Sequence, residues 1–202
     1  VKNPYFEDMD SYYGLIHEGK TAVIEMASCA GLPLVEDRKN PKLTTTYGLG
    51  QLILAAAESG GEKIIVGLGG SSTNDGGCGA AAAVGIKFYD KDGKEFVPTG
   101  GTTADIDDPM YGPTGASYIF GPQKGADEAM VEELDAGIKN LSRVIAEATG
   151  EDISQVPGTG AAGAMGAGMI AFFGSRLQMG IQTVLDTVNF DEMIKDADYI
   201  IT

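Results

Sequence analysis

The apolar positions of the chain fall into short blocks whose spacing alternates between strand-like and helix-like. Thr21 to Met26 (TAVIEM) reads as a buried strand, closed by the small-residue turn Ala27-Ser28-Cys29-Ala30-Gly31. Leu32 to Lys42 mixes charge with two prolines and reads as a surface loop. Thr44-Thr45-Thr46 offers N-caps for a helix over Tyr47 to Glu58, in which Leu49, Leu52, Ile53 and Ala56 share one face. Gly60-Gly61 stops that helix, and Lys63 to Leu68 follows as a second strand. This strand runs into the glycine-rich loop Gly67 to Gly79, and a short helix is expected over Ala80 to Val84. Strand, helix, strand, glycine loop and helix in that order predict an α/β fold with parallel strands.

Beyond the loop the pattern becomes more broken. Ile86 to Tyr89 and Glu95 to Val97 flank Asp90-Lys91-Asp92-Gly93-Lys94, a hairpin signal. Pro98 to Pro113 is rich in Gly, Thr, Asp and Pro and has little periodicity, and Ser117 to Phe120 reads as a strand. The clearest helix spans Asp127 to Thr149, with an apolar stripe of Met130, Leu134, Leu141, Val144, Ile145 and Ala148 and a stop at Gly150. A second glycine-rich segment, Val156 to Gly168, leads into Met169 to Phe173. Helical turns around Thr183 to Val188 and Asp191 to Ala197 precede a last strand, Tyr199 to Thr202, whose abrupt end reads as the mark of a fragment.

Composition narrows the class. The 202 residues, 43% apolar, suffice for one large domain or two small ones. A formal charge of −15 argues against nucleic acid and anionic membranes as partners, because the long-range field repels both. Cys29 and Cys78 lack CxxC spacing and read as ordinary thiols of a reducing cytoplasm. No apolar run reaches membrane-spanning length and no leader pattern occurs at Val1, so a soluble, cytoplasmic protein is expected.

The candidate chemistry centres on the loop GLGGSSTNDGGCG. Glycines let a ligand approach bare N–H groups, and such a loop opening a helix favours an anion, most often phosphate. Gly69, Gly70, Ser71, Ser72, Thr73 and Asn74 are the candidate phosphate or carboxylate binders, and Asp75 the candidate base or metal ligand beside them. A structural tight turn is the competing reading. Neither glycine segment contains GxxxxGK[ST], which argues against a Walker-type site. In the second segment Gly158 and Gly160 either line a ligand site or serve close helix packing. Lys124, in the constrained turn Gly121-Pro122-Gln123-Lys124-Gly125, is a phosphate clamp or a surface lysine. Asp105, Asp107 and Asp108 could hold Mg²⁺ or be solvated acids, and Glu25 is a second-rank acid at a strand end. His17, the single histidine, reads as a turn residue, and there is no Ser/His/Asp arrangement for hydrolase chemistry.

Five segments in one order carry a family resemblance: GKTAVIEMAS, NPKLTTTYGLGQLI, GLGGSSTNDGGCGAAAAVGIKFYDKDGKE, GPTGASYIFGPQKGA and VPGTGAAGAMGAGMIAFFG. The chain resembles the bacterial glycerate kinases of the first type over nearly its whole length. The resemblance implies transfer of a phosphoryl group from ATP, with Mg²⁺, to D-glycerate, giving 2-phosphoglycerate or 3-phosphoglycerate. It implies a two-domain α/β architecture, a Rossmann-like domain and a second α/β domain enclosing a cleft, of which residues 1–202 are the central portion. By the same resemblance, family segments are expected to be missing before Val1, after Thr202 and between Thr103 and Ala104. Asp75 would take the proton of the attacking hydroxyl or ligate Mg²⁺, with Asp105 as a second metal candidate. Lys124 would neutralise phosphate charge. The resemblance leaves monomer and homodimer open. A Mg²⁺-dependent hydrolase of a small phosphoester, and a non-catalytic fragment that keeps only ligand binding, are the competing readings.

Overall fold

The computed structural model of the chain describes residues 1–89, 92–98 and 110–197. Its main sheet has three strands in the order β1-β2-β3. β1 (Gly14–Ile16) runs antiparallel to β2 (Thr21–Glu25), and β2 runs parallel to β3 (Lys63–Gly67), with Thr21 opposite Lys63 and Glu25 opposite Gly67. β1 and β2 are the two strands that flank His17. His17 and Glu18 turn the chain between β1 and β2 with φ of 52° and 58°. The single histidine is therefore a turn residue, its Nδ1 3.3 Å from the Thr21 hydroxyl.

Between β2 and β3 come α1 (Ala27–Ala30), a 3₁₀ turn over Leu32–Arg38, and α2 (Tyr47–Glu58). The surface loop expected over Leu32 to Lys42 is thus partly helical. Proline is compatible with the first turn of a helix, and Val35 is buried there. α2 follows its predicted face: Leu49, Leu52, Ile53 and Ala56 are buried with Ala22, Ile24 and Met26 of the sheet. After the glycine loop come α3 (Cys78–Ala83) and the hairpin of β4 (Phe88–Tyr89) with β5 (Glu95–Phe96).

The strand expected at Ser117 to Phe120 is instead α4 (Ala116–Phe120). Ala116 and Ser117 are adjacent and both buried, while Tyr118 and Ile119 are both exposed. A strand would alternate; paired burial belongs to a helical face. α5 (Glu128–Thr149) begins where Asp127 accepts the Met130 N–H at 2.8 Å and ends at Gly150, φ 79°. α6 (Ala161–Phe173) stands between two cores: Ala162 and Met165 join the sheet and α2, whereas Ala164 and Ala167 join Met110, Ala116, Ile138 and Ile145. Its small side chains let it serve both. α7 (Gly180–Thr187) and α8 (Phe190–Met193) follow with no buried residue. The expected strand at 199–202, the acidic cluster Asp105 to Asp108 and the Thr103–Ala104 junction lie outside the described residues.

Candidate functional site

The loop that leaves β3 divides into an open half and a closed half. Gly69 and Gly70 are exposed, and among the described residues their amides donate to no protein acceptor. From Ser71 onward the loop turns inward, and Ser71 to Asp75 are all buried. The Ser72 N–H and hydroxyl both donate to the Ala30 carbonyl, at 2.8 and 2.9 Å, and the Thr44 hydroxyl donates to the Ser72 carbonyl at 3.0 Å. The Leu32 N–H donates to the Gly70 carbonyl at 2.9 Å. Asn74 is fully buried.

Lys124 reaches this closed half from the other side. A 3₁₀ turn over Pro122–Lys124 ends at Gly125, whose φ of 97° favours glycine, and aims the lysine stem inward. Its ammonium donates to the Ser71 hydroxyl at 3.0 Å and to the Thr73 carbonyl at 3.1 Å, and the residue is only 3% exposed. The surface-lysine reading does not hold. A buried ammonium is tolerated only where hydrogen-bond acceptors replace water, and the loop supplies them.

Asp75 is the most heavily engaged side chain of the region. Its carboxylate accepts from the Thr46 N–H at 2.7 Å, the Thr46 hydroxyl at 2.9 Å, the Thr45 hydroxyl at 3.2 Å, and the N–H groups of Gly77 and Gly79 at 3.1 Å each. Burial pushes this carboxyl above the ordinary carboxylate range, against the pull of the Thr46, Gly77 and Gly79 donors. A carboxylate offers about four lone-pair sites, so five donors leave it full. The anion at the start of α3 is therefore the protein's own. Gly79 is required here, because a Cβ would stand 2.1 Å from the Thr45 hydroxyl oxygen and 2.6 Å from an Asp75 carboxylate oxygen.

Thr45 and Thr46 hold Asp75, a contact that their sequence pattern did not reveal. Thr46 occupies the position before α2, but its side chain makes no capping bond to that helix. Its hydroxyl serves Asp75 and accepts the Ala80 N–H at 2.9 Å. The available signal was negative: no Glu or Gln stands three residues on to complete a capping box.

The two glycine-rich segments meet directly. The Gly76 N–H donates to the Gly163 carbonyl at 2.8 Å, and a Cβ on Gly168 would lie 2.4 Å from the Gly76 carbonyl oxygen. Gly160 is buried and Gly158 half-buried, behind this contact. The backbone is left-handed at Ala162, Gly163 and Ala164, with φ of 53°, 84° and 54°. Glu25, exposed at the end of β2, lies over Gly67 with a carboxylate oxygen 3.4 Å from where a Gly67 Cβ would be. Burial raises the thiols of Cys29, to about 12, and of Cys78, and both are free. Among the described residues no three His, Cys, Asp or Glu side chains are grouped to hold a metal, and no helix is long and apolar enough to cross a membrane. Asp105 lies outside the described residues.

The fold is mixed α/β, with an exposed glycine turn at the end of a strand and a buried lysine behind it. Residues 1–104 and 101–202 match the family model described as "Glycerate kinase family", and the chain belongs to that family. It is 43% identical to a glycerate kinase of Bacillus cereus and 42% identical to a glycerate 2-kinase of Escherichia coli K12, in both cases over its full length. A solved glycerate kinase 2 homologue from Salmonella typhimurium LT2 superposes with a TM-score of 0.91 at 36% identity, covering 98% of this chain and 59% of that one. The chain spans 59% of the length of the Bacillus cereus and Escherichia coli relatives as well.

Proposed function

We propose that this chain is the central portion of an enzyme that phosphorylates D-glycerate with ATP, forming 2-phosphoglycerate or 3-phosphoglycerate and ADP. The observation that carries the reading is the buried Lys124 ammonium behind the open turn Gly69-Gly70, within a family whose named members are glycerate kinases. Phosphoryl transfer needs placement and charge neutralisation more than covalent chemistry. The free amides of Gly69 and Gly70 hold phosphate or glycerate carboxylate oxygens. Lys124 fixes Ser71 and Thr73 behind that turn and supplies positive charge to it. Ser72 and Asn74 shape the turn from the protein side, and the segment containing Gly158 and Gly160 backs it.

Mg²⁺ accompanies ATP in this reading, yet Asp75 does not fit a metal, since protein donors fill its carboxylate. No step is assigned to a metal bound there. Glu25, exposed at the end of β2, is the carboxylate open to the proton of a reacting hydroxyl. The alignments with the Bacillus cereus and Escherichia coli relatives run over 226 positions against 202 residues here, and the family match divides into 1–104 and 101–202; together these support an additional family segment near the Thr103–Ala104 junction.

The test is ADP formation by the chain with Mg-ATP, with and without D-glycerate, and phosphorus NMR of the product. ADP release strictly dependent on glycerate, with one phosphoglycerate formed, is the expected result. Release of phosphate without glycerate would favour the phosphoester hydrolase instead. The NMR spectrum identifies which hydroxyl is phosphorylated.

A further inference from the structure

We infer that Asp75 is a positioning residue, a pin that sets the shape of the anion-binding turn by joining the starts of α2 and α3. The inference deepens the proposed function, because the turn it positions is the one assigned to substrate or phosphate. Three observations meet at this carboxylate. Its donors come from two separate elements, Thr45 and Thr46 at the start of α2 and Gly77 and Gly79 at the start of α3. The bond between these elements closes a second time without Asp75, where the Ala80 N–H donates to the Thr46 hydroxyl. The approach is so close that any side chain at position 79 would overlap Thr45, Asp75 and the Tyr47 backbone.

Geometry separates this role from that of a base or a metal ligand. A base must keep a lone pair for the proton it takes, and a metal ligand must keep one for the cation. Asp75 keeps neither, since five donors surround it and only 4% of the residue is exposed. What it does hold is the chain direction at residues 75–79. One end of that stretch continues into Thr73, whose carbonyl accepts from Lys124, and its Gly76 N–H docks on Gly163. Releasing the pin loosens the turn from behind, and a displacement near 1 Å is enough to lower turnover about 100-fold.

Thr46 supplies the decisive variant, because it touches the pin and leaves Asp75 in place. Thr46→Val is expected to lower kcat for glycerate about 100-fold and to speed amide exchange at Gly77 and Gly79 about 10- to 100-fold. Thr46→Ser, which keeps the hydroxyl, is expected to restore both. Asp75→Asn has the same size but turns an amide donor toward the Thr46 or Gly79 N–H, so it should fail in exchange protection and melting temperature as well as in turnover. An Asp75→Asn protein with wild-type melting and exchange and more than about 1,000-fold lower kcat would overturn the pin in favour of direct chemistry. So would Thr46→Val with wild-type turnover and exchange. If the unaltered chain shows no glycerate-dependent turnover, the functional reading fails, and the exchange of Gly77 and Gly79 in Thr46→Val still decides the pin.

Discussion

The two glycine-rich segments look alike in sequence and are held in opposite ways. Residues 67–79 are fixed by polar side chains: Lys124 on Ser71 and Thr73, the Ala30 carbonyl on Ser72, and Asp75 across to Thr45 and Thr46. Residues 157–168 are fixed by close backbone contact and by strain. Gly166 admits the Gly158 carbonyl, Gly168 admits the Gly76 carbonyl, and Ala162 and Ala164 sit in the left-handed region that alanine avoids. Glycine in the first segment makes room for a carboxylate; in the second it makes room for another stretch of main chain. One segment presents the open amides of Gly69 and Gly70, and the other packs against its far end.

The sharpest break in the comparison is Gly79→Ala. The added methyl meets the Thr45 hydroxyl, an Asp75 carboxylate oxygen and the Tyr47 N–H in one place; the first is hydrogen-bonded to the second, the second also holds Thr46, and the third is main chain. A loss of about 4 kcal/mol or more is expected in urea unfolding. Gly158→Ala, left-handed at φ 84° but facing only the Leu177 side chain, is expected to cost about 1–2 kcal/mol. Equal costs would remove the distinction between a crowded polar junction and simple backbone strain.

A smaller effect sharpens the other side. Ala164 and Ala167 are both fully buried on α6 in the same core, yet only Ala164 is left-handed. Substituting glycine at either loses the same methyl. At 164 it also relieves strain, so Ala164→Gly should be the more stable variant by about 1–2 kcal/mol. Indistinguishable denaturation midpoints would mean that the left-handed turn stores no strain.

Much of the fold was legible because it obeys periodicity. α2 follows its apolar stripe, and β2 and β3 end within a residue of expectation, whereas α5 keeps its span but buries Val131, Leu134, Ile138 and Ile145 and leaves Val144 and Ala148 of the expected stripe exposed. The misreadings have physical causes. Ser117 to Phe120 has strand-like composition, and only its paired burial against α5 and α6 makes it α4. In the site, the sequence singled out Lys124 and the glycine turn, which the structure brings into contact through Ser71 and Thr73, and the family resemblance set them among matching motifs. It could not show that Asp75 is surrounded, because three of its five donors lie about thirty residues upstream, in a threonine run that reads equally well as a helix cap.

The smallest expected effect lies outside both segments and concerns pH. Hydrogen bonds from Arg38 and Asn3 hold the Glu7 carboxyl down at about 2, against an ordinary value of 4.5. A group lowered on folding contributes stability above its unfolded value and loses it as pH falls through its folded value. Glu7→Gln should therefore lower the melting temperature slightly at pH 6 and leave it unchanged near pH 2. Asp75, raised by burial, has the opposite sign: its contribution is full below the ordinary carboxylate value and is lost as pH rises through its folded value. A Glu7→Gln effect that grows on acidification would contradict the assignment.

The central claim is that Lys124 and the turn Gly69-Gly70 together make an anion site. Isothermal titration of the chain and of its Lys124→Met variant, each with D-glycerate and with Mg-ATP, tests it directly. The account predicts that the unaltered chain binds at least one of the two ligands and that Lys124→Met, while still folded by circular dichroism, binds it at least about 10-fold more weakly, a difference near 1.4 kcal/mol. Binding of equal strength by both proteins, or of neither ligand by the unaltered chain, would contradict it.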